Sequence, residues 1–246
     1  MSEAKKSIFI FDDEIGRVDY VDHMGSDLTV VNSARVSFGV QKSKLSARDV
    51  KLIKYLVKHK HTSTLEHCSI TFKFTVPLYI RSQHHRHRTW SYNEISRRYT
   101  DKDYQFYTPK QFRTQHKSNR QASNVDEMIN PQILSDSNYG LIPSNYPKAS
   151  EVYREHCEKS LASYKDLIKA GVCREQARGI LPQTTYTEYY GTVNLNNLLK
   201  FISLRIHDGA QWEIVQVAKA CLEIARHLYP VSVSAYEECV HGGKIQ

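Results

Sequence analysis

Residues 69–77, "SITFKFTVP", alternate Ile70, Phe72, Phe74 and Val76 with polar neighbours. In a pleated strand this period of two puts all four apolar side chains on one face, so the segment must lie as a strand against a core. Pro77 suits the first turn of a helix, and nothing in "LYIRSQHHRHRTW" (78–90) breaks one. A buried strand leading straight into a helix is the frame around which the rest of the chain has to pack.

Helical patterns dominate elsewhere. Ser46 with Asp49 three residues on resembles a capping box, and Val50, Ile53, Leu56 and Val57 form the stripe of the helix it opens. Tyr153, Cys157, Leu161, Tyr164 and Ile168 line a long helix that Gly171 stops. "REQARGILP" reads as a short helix ended by Pro182, and "TTYTEYYGTV" as a strand. "NNLLKFISLRIH" and "WEIVQVAKACLEIARHLY" read as two core helices, the second with Ile214, Ala218, Cys221, Ala225 and Leu228 at helical spacing. Residues 12–39 read as short strands and turns. Residues 114–150, rich in Asn, Ser, Gln and Pro, read as a surface insertion with at most a short helix. The prediction is an α+β fold: helices packed around a small antiparallel sheet, with residues 1–246 as a single domain.

A hydrophobic content of 40% is enough for a sizeable core. No apolar run approaches the roughly 20 residues of a membrane span, and the N-terminus lacks the order of a signal peptide, so a cytoplasmic location with no membrane partner is expected. The five cysteines are widely spaced with no CxxC pair, which suggests plain thiols rather than a disulfide or zinc framework.

The densest chemistry lies in "QHHRHRTWSYNEISRRY" (83–99), with four arginines, three histidines and one carboxylate. The net charge of +8 suits nucleic acid and phosphate-bearing metabolites equally. A tract that follows phosphate backbones needs an open surface of one sign. This one carries a carboxylate and is hemmed by strand and helices, which favours a pocket for small anions. Glu94, Ser96 and Arg98 share one side if the segment is extended, as a ribose acceptor and a phosphate fork would. A solvated helix end in which Glu94 pairs with Arg97 or Arg98 explains the spacing equally well. Gln83 and Arg86 share a helix face. His61, His67, His84, His85 and His87 match no zinc pattern, and no metal is expected. There is no GxSxG, GxGxxG or P-loop. Arg178 and Arg205 lie in or beside apolar helical segments, where an arginine needs a protein carboxylate or a ligand anion as partner.

Taken together, Arg86, His87, Arg88, seven residues and then Ser96 resemble the signature of the flavin-dependent thymidylate synthases. "SARVSFG" (33–39), "KHKHTSTLEHCSITFKF" (58–74), "REQARGILP" (174–182), "TVNLNNLLKFISLR" (192–205) and "AQWEI" (210–214) are similar to segments of that family, in its order. The resemblance implies a homotetramer with active sites shared between subunits. It also implies reductive methylation of dUMP to dTMP, with 5,10-methylenetetrahydrofolate as carbon donor and FAD, reduced by NADPH, as hydride donor. By position, Gln83, Arg86, Glu94, Ser96, Arg98, Arg178 and Arg205 would hold dUMP, with Arg97 included because it lies inside the same arm. His61, Ser63, Arg86, His87, Arg88, Glu94, Asn194, Asn196 and Lys200 would contact FAD. Arg205 would be catalytic, as a fixed cation beside the N3/O4 edge that favours the ionised, electron-rich pyrimidine. Ser96, with no base evident to activate it, is assigned to substrate binding. Asn196, Lys200, Gly209 and the pair His84–His85 depart from residues common in the family, the pair replacing two aromatics.

Overall fold

The computed structural model describes residues 7–100, 104–134 and 146–240. Its strands are β1 (Ser7–Phe9), β2 (Arg17–Met24), β3 (Ser69–Pro77), β4 (Ser91–Glu94), β5 (Phe112–Gln115), β6 (Ser123–Ile129) and β7 (Tyr186–Asn194). Its helices are α1 (Asp27–Arg35), α2 (Ala47–Lys58), α3 (Leu78–His84), α4 (Ala149–Lys169), α5 (Arg174–Ala177), α6 (Leu195–Arg205), α7 (Trp212–Leu228) and α8 (Pro230–Val240). The described residues fall into two compact units. One comprises residues through Thr75, Ser82–Glu94 and the chain from Glu188 on, and the other Val76–Arg81 and Ile95–Thr187.

The first unit is built on a five-stranded sheet in the order β1-β2-β3-β7-β4. β3 behaves as its alternation demands, with Ile70, Phe72 and Phe74 fully buried. The apolar stripes of α6 and α7 pack on one another, and α2 packs on α8. Ser46 and Asp49 form the expected capping box, and the buried Asp49 also takes Arg35 at 2.6 Å. The Ser46 hydrogen bond first, then Arg35, holds its carboxyl down to about 2. β4 pairs antiparallel with β7, Tyr92 opposite Gly191. A Cβ at Gly191 would stand 2.9 Å from Phe74 and 3.2 Å from Trp90, so only glycine lets the Trp90 ring settle against the strand.

Three helices differ from the sequence reading. Residues 27–35 form α1 rather than strands and turns. Ser26 and Thr29 cap it reciprocally, and the adjacent Val30 and Val31 are both fully buried, so tertiary packing overrides their β-branched preference. After α7 the chain forms α8, which the sequence reading did not anticipate. Pro230 opens it, and the carboxylate of Asp27 accepts hydrogen bonds from the backbone of Val231 and Ser232 (2.9 Å each) and from the Ser232 hydroxyl (2.6 Å). α3 ends at His84 instead of continuing to residue 90, because the next amides bond at shorter range, Arg86 to Gln83 and His87 to His84.

In the second unit the 114–150 stretch contributes strand rather than helix. β5 and β6 form a hairpin with Phe112 opposite Ile129. His116 Nδ1 accepts the Asn119 amide at 3.0 Å across the turn, and Gln115 donates to the Ala122 carbonyl at 2.9 Å. Residues 135–145 of that stretch lie outside the described residues. α4 carries the expected stripe and stops at Gly171, whose φ of +89° is the left-handed conformation that closes the helix.

Asp27, 4% exposed, satisfies two otherwise orphaned amides of α8. Asp27→Ala is expected to lower unfolding stability by about 2 to 3 kcal/mol, read as a shift in denaturant midpoint. An unshifted midpoint would show that this cap contributes nothing.

Candidate functional site

In the first unit, α3 and α6 bring together residues 118 to 122 positions apart. Arg205, the last residue of α6, donates from Nε to His87 Nε2 at 3.0 Å and from Nη2 to the Gln83 carbonyl at 3.4 Å. Both partners are neutral. Burial, and next the Arg205 charge, push the His87 imidazole down to about 4, so its Nε2 carries a lone pair for Arg205 to meet. Burial also lowers Arg205, which stays cationic. No carboxylate among the described residues pairs with it. Of the two partners the sequence allowed, a protein carboxylate or a ligand anion, the described residues supply no carboxylate.

Gln83 also donates from its side chain to Gln211 Oε1, and Gln211 in turn donates to Glu213 Oε2 at 3.0 Å. Gln211 is the residue that caps α7, and Glu213 lies in its first turn, 4% exposed. The sequence reading gave neither a role. The available signal was their place in "AQWEI", directly before an amphipathic helix.

His84, left without a role by the sequence, is core. Its ring is fully buried among Phe74, Trp90, Tyr92, Tyr189 and Phe201, with centroids 4.5 to 5.8 Å away, and its Nδ1 meets the Tyr189 hydroxyl at 2.8 Å. Burial, with His87 and then His85 adding to it, holds this imidazole well below its ordinary value. His85 stacks on Tyr92 at 4.1 Å. The Tyr92 hydroxyl donates to the carbonyls of His84 and His87 at 2.9 and 3.2 Å, fixing the turn that carries Arg86 and Arg88. Gln83 and Arg86 therefore do not share a helix face, since Gln83 sits in the last turn of α3 and Arg86 beyond it. The side chains of Arg86 and Arg88 are exposed and have no partner among the described residues.

His61 and Ser63 follow the C-terminus of α2, which Lys60 closes at φ +58°, its amide bonding Val57 and that of His61 bonding Leu56. Both side chains are exposed, as are those of Lys200 and Glu94. Asn194 caps α6 by accepting the Asn197 amide at 2.9 Å. Asn196 is buried and donates to Glu66 at 2.7 Å, so one of its two N–H groups is occupied within the chain.

In the second unit, Ser96 ends the extended stretch. Its carbonyl accepts the amides of Tyr99 and Thr100, and its hydroxyl accepts that of Arg98 at 3.3 Å. Ser96 thus opens a tight turn, which replaces the extended arm expected through Arg98. Arg97 lies 4.4 Å above the Tyr104 ring, and Arg98 pairs at 3.2 Å with Glu175 of α5. Arg178, three residues beyond Glu175, is exposed with no side-chain partner among the described residues.

Comparison with known proteins identifies a family. The family described as thymidylate synthase complementing protein matches residues 19–231. The chain belongs to that family. It is 39% identical over 223 residues to a flavin-dependent thymidylate synthase of Thermus thermophilus, covering 91% of this chain and 76% of that protein. It is 37% identical over 230 residues to one of Thermotoga neapolitana, covering 94% of each. Among solved structures it is similar to the UMP/dUMP methylase PolB from Streptomyces cacaoi bound with 5-Br dUMP, with TM-score 0.73, 30% identity, and coverage of 91% of this chain and 95% of that one. The rings packed around His84 and His85 show why a flat side chain is wanted at both positions.

The depressed His87 has a pH consequence. The unfolded imidazole takes up a proton as pH falls through its ordinary 6.5, whereas the folded one resists until about 4. Stability therefore falls as pH drops across that window, and His87 contributes no loss above it. Between pH 7.5 and 5, His87→Gln should lose less denaturant-midpoint stability than the parent. Equal losses would mean that His87 is not held neutral.

Proposed function

We infer that the chain is a flavin-dependent thymidylate synthase, a methyltransferase converting dUMP to dTMP. The observation that carries this reading is Arg205, a half-buried guanidinium oriented by two neutral acceptors and paired with no carboxylate among the described residues. Such a cation is prepared for an electron-rich ligand edge and rearranges little when one arrives. Uracil C5 is a poor nucleophile, and a cysteine adding to the ring is one way to activate it. Here burial raises Cys68 to about 11 and pushes Cys221 higher still, so neither is a ready thiolate. Arg205 instead stabilises the negative charge that builds on the pyrimidine carbonyl edge.

The donor set suits FAD. Arg86 and Arg88 offer uncommitted guanidiniums to a diphosphate. His61 and Ser63 lie exposed for further contacts, and Lys200 adds an exposed cation. His87 offers a neutral imidazole, Asn194 keeps an amide that its capping role does not use, and Glu94 accepts hydroxyls. Asn196, with one N–H on Glu66, has its carbonyl oxygen and one N–H to offer. When bound, reduced FAD supplies the hydride that completes the methyl group, with 5,10-methylenetetrahydrofolate as carbon donor and NADPH as reductant. Ser96, Arg97, Arg98 and Arg178 bind the nucleotide. In the proposed homotetramer, active sites draw on several subunits, and the protein works in the cytoplasm. Exposed apolar side chains after α1, Val36 at 74% and Phe38 at 81%, support self-association.

Protein reconstituted with FAD should be yellow, and dUMP should perturb the flavin absorbance. Arg205→Ala should remove dTMP formation while the protein stays folded, and near-normal turnover in that variant would sink the assigned role. Light scattering should give the mass of four chains, and a monomer at micromolar concentration would count against the shared site.

A further inference from the structure

We propose that Glu213, acting through Gln211, fixes the polarity of the Gln83 amide so that its carbonyl oxygen is the end offered to the substrate, which makes the site select uracil over cytosine. The inference rests on the thymidylate synthase reading and adds two residues, Gln211 and Glu213, that the reading does not use.

The argument is one of donors and acceptors. A terminal amide is nearly symmetric in shape, and a glutamine free to turn over presents either an acceptor or a donor. Here the turn is prevented from one end. The Glu213 carboxylate is nearly buried at the start of α7 and accepts from Gln211 Nε2 at 3.0 Å. Gln211 must therefore direct Oε1 the other way, where it accepts from Gln83 Nε2. Gln83 Nε2 is turned toward Gln211 and spends one of its two N–H groups there, so Oε1, which has no partner among the described residues, is the end that faces away. Reversing Gln83 would set two carbonyl oxygens against each other, and reversing Gln211 would set an oxygen against the carboxylate. Each reversal is costly where water does not replace the lost bond.

Beside this acceptor stands a donor. Arg205 bonds the main-chain oxygen of the same Gln83 through Nη2 and His87 through Nε, leaving Nη1 uncommitted among the described residues. Uracil presents a carbonyl oxygen, O4, next to a ring N3–H, which matches a cation next to an acceptor. Cytosine presents an amino group next to a bare N3 lone pair, which mismatches both. A phosphate oxygen set against Oε1 would be repelled, so this end of the amide suits the base. Arg205 draws charge onto O4, so the donor that helps select the base also favours reaction at C5. Glu213 and Gln211 touch no substrate in this account. They are positioning residues.

Sites built to hydrogen-bond a particular edge discriminate strongly because the wrong ligand leaves polar groups unpaired. The test measures KM and kcat for dUMP, and dissociation constants for dUMP and dCMP from flavin absorbance, in the FAD-loaded protein. The parent should bind dUMP at least about tenfold more tightly than dCMP. Glu213→Gln keeps size but donates where the carboxylate accepted, so both amides should reverse. KM for dUMP should rise and the dUMP preference should fall about tenfold, with kcat changing less. Gln211→Met removes the polarity signal without the buried charge, and it should lose discrimination in the same direction. In Glu213→Gln combined with Gln83→Glu, a carboxylate accepts from the reversed Gln211 and again offers an oxygen to the base. The dUMP preference should return, which a merely structural role for Glu213 would not produce. If the parent prefers dUMP and the variants keep that preference, or the double variant fails to regain it, the relay is overturned and the thymidylate synthase reading stands. A parent that binds neither nucleotide and forms no dTMP overturns both.

Discussion

The hydrogen bond between Arg205 and His87 is the constraint on which the rest of the site depends. It exists only while the imidazole is neutral, and the imidazole is neutral because it is buried beside a cation. Each residue thus sets the condition for the other. The scaffold serves this pair. α6 starts on an asparagine cap, runs through a fully buried stripe and delivers Arg205 at its last residue. α3 stops at His84, and Tyr92 holds the turn that follows by bonding two of its carbonyls. Trp90 backs that turn, and Gly191 gives it room.

The fold was legible where periodicity was strong. The alternation of Ile70, Phe72 and Phe74 and the stripes of α4, α6 and α7 appear as read. α1 was hidden because Thr29, Val30 and Val31 are β-branched and only burial from outside the segment makes them helical. α8 was hidden because "PVSVSAY" mixes valine and serine in a near-alternating way. Its decisive cap, Asp27, lies 204 and 205 residues earlier in the chain. The β5–β6 hairpin gave no alternating signal because much of it is exposed on both faces, so composition showed only polarity.

The site was legible as a list of residue types and opaque as geometry. Motif spacing singled out Arg86, His87, Arg88 and Ser96, an apolar helical setting singled out Arg205, and the family comparison bears out the resemblance. Spacing did not reveal that Ser96 starts a turn, that Arg98 is already paired with Glu175, or that Asn196 gives its amide to Glu66. Nor did it reveal Gln211 and Glu213, whose part depends on which atom of an amide faces which neighbour. Hydrogen-bond direction has no periodicity, so a pattern in one dimension cannot show it.

The Asp27 cap also bears on how the molecule comes into being. It joins the start of α1 to the start of α8 across some two hundred residues, and α2 completes its apolar surface against that same last helix. Contacts of such separation form late, because the loop they close is costly in entropy before it is rewarded. On a ribosome the first unit therefore waits for residues made some two hundred positions after its α1. The second unit, with its hairpin and α4 drawn from residues 95–187, has all but a short part of its chain in one stretch and is free to gain structure earlier. The half of the molecule that holds Arg205 is in this sense the last to be born, and its long exposure as an unfinished sheet is a cost that the position of its closing helix imposes.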